Sequence, residues 1–438
     1  MARLLYDLTG LLHWYAYFRR PAGVQRVIEK VGACAALQAA APTSVEFVVR
    51  LLGSDGFRRL DPARLVELGD DRAPAVAHLR RSFAQSLRAA PLAGLVAEAR
   101  YFHLPYLALG LLRTGSPRLP EVEPPGRHDA YFNPGDLWWQ KGYAAALGGL
   151  KRRTGVRLVQ MIHDLYVDQR PDWSPPGFSA VFSRQLRQIA PEVDHWLTSS
   201  NFVKAELARR LQEWSVPERP ITAIPMGWDS FAPAGDSSGD SAGACHADRA
   251  ILARHGVGRR PYMLFVGTIE PRKNVGALLD AVDALRAERA ERMPDLVLVG
   301  SYGWGDAGLR RRLEEGVKTG RLVWARNLGD GELAAFYRGA SFTVMPSLGE
   351  GWGLAVQESL AHGVPCLASS GGATREAGRD LATYFEPGRP DALAAALAGW
   401  IDDAALPAAA RARIGAALKA GELPTWNDAG RLLLSLMP

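Results

Sequence analysis

The sequence predicts an α/β protein built as two parallel-sheet domains that face a cleft. Three observations predict it. Short apolar, β-branched runs alternate with helical segments along most of the 438 residues, and strands that alternate with helices pair in parallel with both sheet faces covered. The alternation is interrupted at 232–248, APAGDSSGDSAGACHAD, a small, polar stretch that reads as a surface linker; after it the rhythm restarts. The length agrees, since at roughly 100–200 residues per domain the chain holds two or three.

Each element follows from its pattern. Arg3 to Leu8 is a short strand, and Gly23 to Leu37 has helical spacing after a Pro-Ala-Gly break. Val45 to Leu52 is apolar, β-branched and of strand length. RLVQMIHDLY (157–166) reads as a buried strand ending in polar residues, and Ser199-Ser200-Asn201 offers an N-cap to the helix behind it. ITAIPMGWD (221–229) is a further strand and turn. Past the linker come strands in PYMLFVGTIE (261–270), DLVLVGS (295–301), RLVWARNLG (321–329), SFTVMPS (341–347) and VPCLASS (364–370), with helices between them. A last amphipathic helix, PTWNDAGRLLLSLM (424–437), is led by Trp426.

Composition narrows the class. With 47% hydrophobic and 22% charged residues the chain is no disordered protein. The net charge of +6 is mild for this length and the arginines are scattered, which argues against nucleic acid as a partner. Cys34, Cys245 and Cys366 are odd in number and widely spaced, so neither a disulfide framework nor a zinc site is expected and a reducing, cytoplasmic setting fits. MARLLYDLTG does not read as a signal peptide. The longest apolar region, 101–112, is too short for a bilayer span of about 20 residues.

The stretch with most chemistry is MPSLGEGWGLAVQESLAHGVPCLASSGG (345–372). A strand ends, a glycine-rich loop follows, and a helix begins near Gly353. Glu350 in the loop and Glu358 on the helix are separated by seven residues. The unpaired N–H groups of a helix start attract a diphosphate, and Gly351 and Gly353 let the backbone approach it. A carboxylate on either side can accept hydrogen bonds from sugar hydroxyls. From spacing alone, an ordinary loop–helix junction explains the pattern equally well.

These residues carry a resemblance. EGWGLAVQE with SLAHGVPCLASSGG resembles the donor signature of the GT-B glycosyltransferases of family 4, the group 1 retaining enzymes with two glutamates seven residues apart. VGTIEPRKN (266–274), IHDLY (162–166), TSSNFVKAEL (198–207), AIPMGWD (223–229) and AGVQRVI (22–28) resemble further family segments in the right order. The resemblance implies two Rossmann-like domains: an acceptor domain over 1–230, a linker over 231–258, a nucleotide-sugar domain over 259–418, and a helix over 419–438 that returns to the first domain. It also implies roles. Glu350 contacts the transferred sugar and Glu358 the donor ribose. Arg272 and Lys273 neutralise the diphosphate, which fixed cations do well, the backbone at Gly353 and Leu354 caps it, and Gly351, Gly267 and Thr268 are further donor-binding candidates. His163 lines the cleft near the sugar, and Gly23 permits close approach on the opposite wall. Many relatives carry Arg directly after Gly267, where this chain has Thr268; Arg272 is taken as the substitute cation.

No D-x-D triplet occurs, so no metal and no cofactor are expected beyond the nucleotide-diphosphate sugar as donor substrate. The expected acceptor is a glycan or a lipid-linked saccharide of surface polysaccharide assembly, and the expected sugar is mannose or rhamnose. Trp14, Arg19, Arg20, Trp138 and Trp139 are the acceptor-side candidates, aromatics for sugar stacking and arginines for phosphate. The stretch 78–113 is apolar with interspersed arginines. Its plain reading is a helical hairpin with a solvated face, and its functional one is peripheral contact with an anionic membrane. A sugar-nucleotide 2-epimerase and a non-catalytic nucleotide-sugar-binding scaffold are the alternatives.

Overall fold

The computed structural model of the chain describes residues 2–41, 43–50, 56–63, 65–66, 75–77, 79–81, 119–135, 142–229, 241–421 and 423–437. Trp138, Trp139, all of 78–113 except 79–81, and 231–240 lie outside the described residues. The chain divides into two compact units: Met1–Pro171, Pro176–Gly227 and Thr425–Pro438 form one, and Asp172–Pro175 with Trp228–Pro424 form the other.

The first unit is built on an eight-stranded sheet. Its strands are β1 (Leu4–Asp7), β2 (Val45–Arg50), β3 (Phe57–Arg59), β4 (Glu121–Val122), β5 (Ala130–Asn133), β6 (Arg157–Ile162), β7 (His195–Thr198) and β8 (Ile221–Ala223), in the order β4-β3-β2-β1-β5-β6-β7-β8. Six of them pair in parallel, while β3 pairs antiparallel with both β2 and the edge strand β4. β1, β2 and β5 are buried along their whole lengths, as strands covered on both faces must be. One face packs Leu158, Trp196 and Tyr131 against Leu147 and Leu186 of the helices Tyr143–Thr154 and Phe178–Ile189. Ser200 caps the helix Asn201–Glu213 by accepting from the Val203 N–H.

Thr425–Pro438 belongs to this first unit. Thr425 and Asp428 cap the helix Trp426–Ser435 reciprocally. The Ala36 N–H donates to Asn427 Oδ1 at 2.9 Å, and Trp426, 3% exposed, lies on Gly227, where any Cβ would collide with it.

The second unit has six parallel strands: β9 (Tyr262–Val266), β10 (Asp295–Val299), β11 (Leu322–Ala325), β12 (Phe342–Met345), β13 (Cys366–Ser369) and β14 (Thr383–Phe385). Their order is β11-β10-β9-β12-β13-β14. Counted within the unit this is third-second-first-fourth-fifth-sixth, the dinucleotide-binding order, whose chain direction switches between the first and fourth strands. Apolar clusters cover both faces. Met263, Phe265, Val344 and Leu367 meet the helices Val275–Arg289, Leu354–Ala361 and Pro390–Asp402 on one side. Tyr262, Leu264 and Val297 meet Phe336 and Leu252 on the other.

The expected linker is in part a structured element. Its second half forms the helix Ser241–Arg254, whose Leu252 is buried in that second cluster and whose Asp248 pairs with Arg338 at 2.7 Å. Small polar residues conceal a helix whose apolar anchors, Ile251 and Leu252, come only near its end. Among the described residues no single helix is long and apolar enough to cross a membrane.

Candidate functional site

Two loops leave the carboxyl ends of β9 and β12, the strands that flank the switch point. In an open parallel sheet the connections there diverge to opposite faces and leave a crevice between them. The β9 loop is fixed first. Ile269 donates its N–H to Ser301 O and accepts at its own carbonyl from Gly303, both near 3 Å. This close pairing needs Gly300, which sits at φ +142° with no room for a Cβ against the Gly267 carbonyl. Pro271–Lys273 then makes one turn of 3-10 helix and Asn274 ends it in the left-handed region at φ +54°.

The β12 loop lies against that turn. The Leu348 N–H donates to the Arg272 carbonyl at 2.8 Å. On its other side the Glu350 carbonyl accepts from the Ala373 N–H at 2.8 Å, and Gly371 packs on Leu348 too closely for a side chain. The loop ends at Gly353, φ +108°, which starts the helix Leu354–Ala361 without a side-chain cap. Gly353 thus offers no side chain to the N–H groups of the first turn, where Leu354 and Ala355 are partly exposed and the Val356 N–H bonds the Gly353 carbonyl at 2.9 Å.

Side chains meet where the two loops touch. Arg272 Nη1 donates to Glu350 Oε2 at 2.6 Å and to the Gly349 carbonyl at 3.0 Å, and Nη2 donates to Glu270 Oε1 at 2.8 Å. Lys273 Nζ donates to Glu350 Oε1 at 2.6 Å. Burial would push the Glu350 carboxyl up, but Arg272 and Lys273, with hydrogen bonds from Lys273 and Ser347, outweigh it and pull it down to about 2. Glu350 is thus ionised at neutral pH and shares both oxygens between two cations.

Glu358 lies one helix turn into Leu354–Ala361, buried, and its Oε2 accepts from Tyr337 Oη at 2.8 Å. Trp352 Nε1 donates to Gln357 Oε1 at 2.9 Å, tying the loop to the helix. Gly351 and Gly353 are buried, while Leu354, Gly267 and Thr268 are partly exposed. The structure therefore brings together Glu350, Arg272 and Lys273 and sets Gly351, Gly353, Leu354 and Glu358 along the adjoining loop and helix. Glu270, Ser347 and Tyr337 were missed by sequence reasoning. Glu270 stands two residues before Arg272 across Pro271, a spacing that a turn brings into contact; Tyr337 gave no signal.

The remaining candidates lie in the first unit. His163 follows β6, and its Nε2 donates to the Pro134 carbonyl at 2.7 Å, a partner that can only accept. Burial pushes its pKa down, against the Pro134 bond and nearby Asp164, so the ring is neutral near pH 7 with Nδ1 as acceptor. Pro134 is itself set by Asn133, whose side chain links Asp7 at 2.9 Å, Gln160 at 3.0 Å and the Gly135 N–H at 2.9 Å. Gly23 is the exposed first residue of the helix Gly23–Ala33 and has an ordinary backbone conformation. Trp14 donates to the Arg20 carbonyl at 2.6 Å and stacks on Phe18 at 4.2 Å, next to exposed Arg19.

Comparison with known proteins bears on this geometry. The model of the family described as glycosyl transferases group 1 matches residues 260–403, and that of glycosyltransferase family 4 matches residues 132–230. O-antigen chain mannosyltransferase B of Escherichia coli is 30% identical over 55% of this chain and 60% of its own length. A D-inositol 3-phosphate glycosyltransferase of Streptomyces avermitilis is 36% identical over 70% of this chain and 64% of its own. The chain thus spans less than two thirds of each of these relatives. Among solved structures, sucrose-phosphate synthase of Thermosynechococcus elongatus matches with a TM-score of 0.60 at 18% identity, covering 100% of this chain and 98% of the other. Anabaena HepE, solved with UDP and glucose, matches at 0.59 and 12% identity, covering 99% of each. At these identities the likeness shows the fold: two Rossmann-like domains of the GT-B class.

Proposed function

Because this chain belongs to the group 1 glycosyltransferases of family 4, we propose that it moves a sugar, with retention, from a nucleotide-diphosphate sugar to a saccharide acceptor. The observation that carries this reading is the ion cluster at the switch point of the second unit: Glu350 held by Arg272 and Lys273 beside an uncapped helix N-terminus. The donor diphosphate lies on the N–H groups around Gly353 and Leu354, with the ammonium of Lys273 beside it. Glu350 meets hydroxyls of the transferred sugar, and Glu358, oriented by Tyr337, meets the ribose.

In the transfer, the bond from the anomeric carbon to the diphosphate breaks and the acceptor oxygen bonds that carbon on the same face. The acceptor proton passes to the leaving diphosphate, whose charge the helix N-terminus and Lys273 stabilise. This route uses no covalent glycosyl–enzyme. Accumulation of such an adduct by wild type, or its trapping in Glu350→Gln, detected by mass spectrometry, overturns it.

The sugar is proposed as mannose or rhamnose and the acceptor as a glycan or lipid-linked saccharide in surface polysaccharide assembly. The support is the likeness to an O-antigen mannosyltransferase. No metal is proposed to take part, since Lys273 and the helix N-terminus supply the positive charge. Peripheral contact of 78–113 with anionic membrane goes with a lipid-linked acceptor and is abandoned if the protein does not co-sediment with anionic vesicles at low salt.

The experiment is a thermal-shift panel of UDP, GDP, dTDP, ADP and CDP in EDTA, on wild type and Lys273→Ala. A ligand at about 100 times its dissociation constant stabilises by about 2.7 kcal/mol. One nucleotide is expected to shift wild type with the chelator present and to lose its effect in the variant. No shift by any nucleotide at millimolar concentration sinks the donor-site reading, and a shift restored only by magnesium sinks metal independence.

A further inference from the structure

Arg272 and Lys273 are neighbours in sequence, both cationic, and both on Glu350, yet their surroundings differ. Arg272 is held on three sides. Its backbone carbonyl takes the Leu348 N–H, one guanidinium nitrogen binds Glu350 and the Gly349 carbonyl, and the other binds Glu270. Glu270 is 7% exposed and stands next to Ile269, whose backbone is bonded to the loop after β10. It is an anchor on a fixed strand of chain. A planar fork between two carboxylates and a carbonyl is a rigid brace; taking Arg272 to a ligand would strand a buried carboxylate, which is costly.

Lys273 is different. Among the described residues its one ion pair is the 2.6 Å contact to Glu350, which uses one of three ammonium N–H donors. Its stem runs past Gly267, and its flexible four-carbon chain can swing. The four charges balance, two positive against Glu270 and Glu350. An arriving diphosphate therefore competes with Glu350 for a cation, and the pair that can open is Lys273–Glu350.

We propose that the two cations have separate tasks. Glu270 and Arg272 are positioning residues that brace the β9 loop to the β12 loop and hold Glu350 toward the sugar, and Lys273 alone is the cation that meets the diphosphate. This departs from the expectation that Arg272 substitutes for the missing arginine at Thr268, and it rests on the donor-site reading above.

The test measures two quantities on wild type, Lys273→Ala, Arg272→Gln, Arg272→Lys, Glu270→Gln and Glu270→Asp. One is the dissociation constant of whichever of the five nucleoside diphosphates binds wild type. The other is kcat and KM for slow hydrolysis of the corresponding nucleotide sugar without acceptor. Lys273→Ala is expected to weaken nucleotide binding at least tenfold. The Arg272 variants and Glu270→Gln are expected to change it less than threefold, with kcat lowered at least tenfold and KM nearly constant. Glu270→Asp, which keeps the charge, is expected to recover part of kcat. Nucleotide binding weakened as much in Arg272→Gln as in Lys273→Ala overturns the division of tasks, and so does a wild-type kcat in Glu270→Gln. If the Arg272 variants do not fold, as melting without ligand would reveal, Glu270→Gln decides alone. If wild type binds none of the five nucleotides, the donor-site reading falls and this inference with it.

Discussion

At the scale of single residues, the site depends on one carboxylate kept ionised in a buried position. Glu350 stays charged because two cations are held within hydrogen-bonding distance of it. Its pKa lies at about 2, below the ordinary glutamate value of about 4.3. The group is depressed in the folded state, so its contribution is complete above about pH 4.3 and is lost as pH falls toward 2. The shift corresponds to stability on the order of 3 kcal/mol at neutral pH. Glu350→Gln is therefore expected to melt well below wild type at pH 7, with the gap narrowing as pH falls from about 4.3 toward 2; a gap that is constant with pH contradicts the assignment. Sequence spacing pointed to Glu350 and Glu358, and the family resemblance added Arg272 and Lys273. It could not show which atoms of Arg272 were already engaged, because Glu270 and Gly349 reach it only through the folded turn.

At the scale of elements, the site is made by two loops whose Arg272 and Glu350 are 78 residues apart in sequence and adjacent in space because β9 and β12 pair in parallel. The pairing of 269 with 301–303 holds the first loop, and Gly300 is its weak point. Gly300→Ala is expected to cost about 1–3 kcal/mol through overpacking and backbone strain and to weaken nucleotide binding, both read from melting curves with and without nucleotide. A variant that melts as wild type shows that the loop can shift without loss. β1, β2, β6, β8 and β9 to β13 were legible from their apolar runs, and the start of the helix at Leu354 from its glycines, whereas β3, β4, β5, β7 and β14 were not, three of them being no more than three residues long. The helix Ser241–Arg254 was not legible, because Gly243, Asp248 and the alanines around them carry little periodicity and Leu252 finds its place only against Phe336.

At the scale of the whole molecule, the order of the chain and the order of the units differ. Residues from Thr425 onward belong with the first unit although the second comes between. Trp426 is the anchor of that return. Trp426→Ala is expected to cost about 3–5 kcal/mol and Thr425→Ala about 1 kcal/mol for the lost cap, measured by denaturant unfolding. If Trp426→Ala leaves the first transition unmoved, the helix is a passive tail. The sequence by itself determined the fold class, the alternation of strands and helices, the amphipathic last helix and the pair of glutamates seven residues apart. All of these are local patterns of polarity and spacing, which the chain carries before it folds. Only the tertiary structure decided that the second sheet reverses its order between β9 and β12, that Glu270 and Tyr337 orient Arg272 and Glu358, and that Pro134 fixes the tautomer of His163. Those facts are contacts between distant segments, and their physical origin is strand order and burial, which no local pattern encodes.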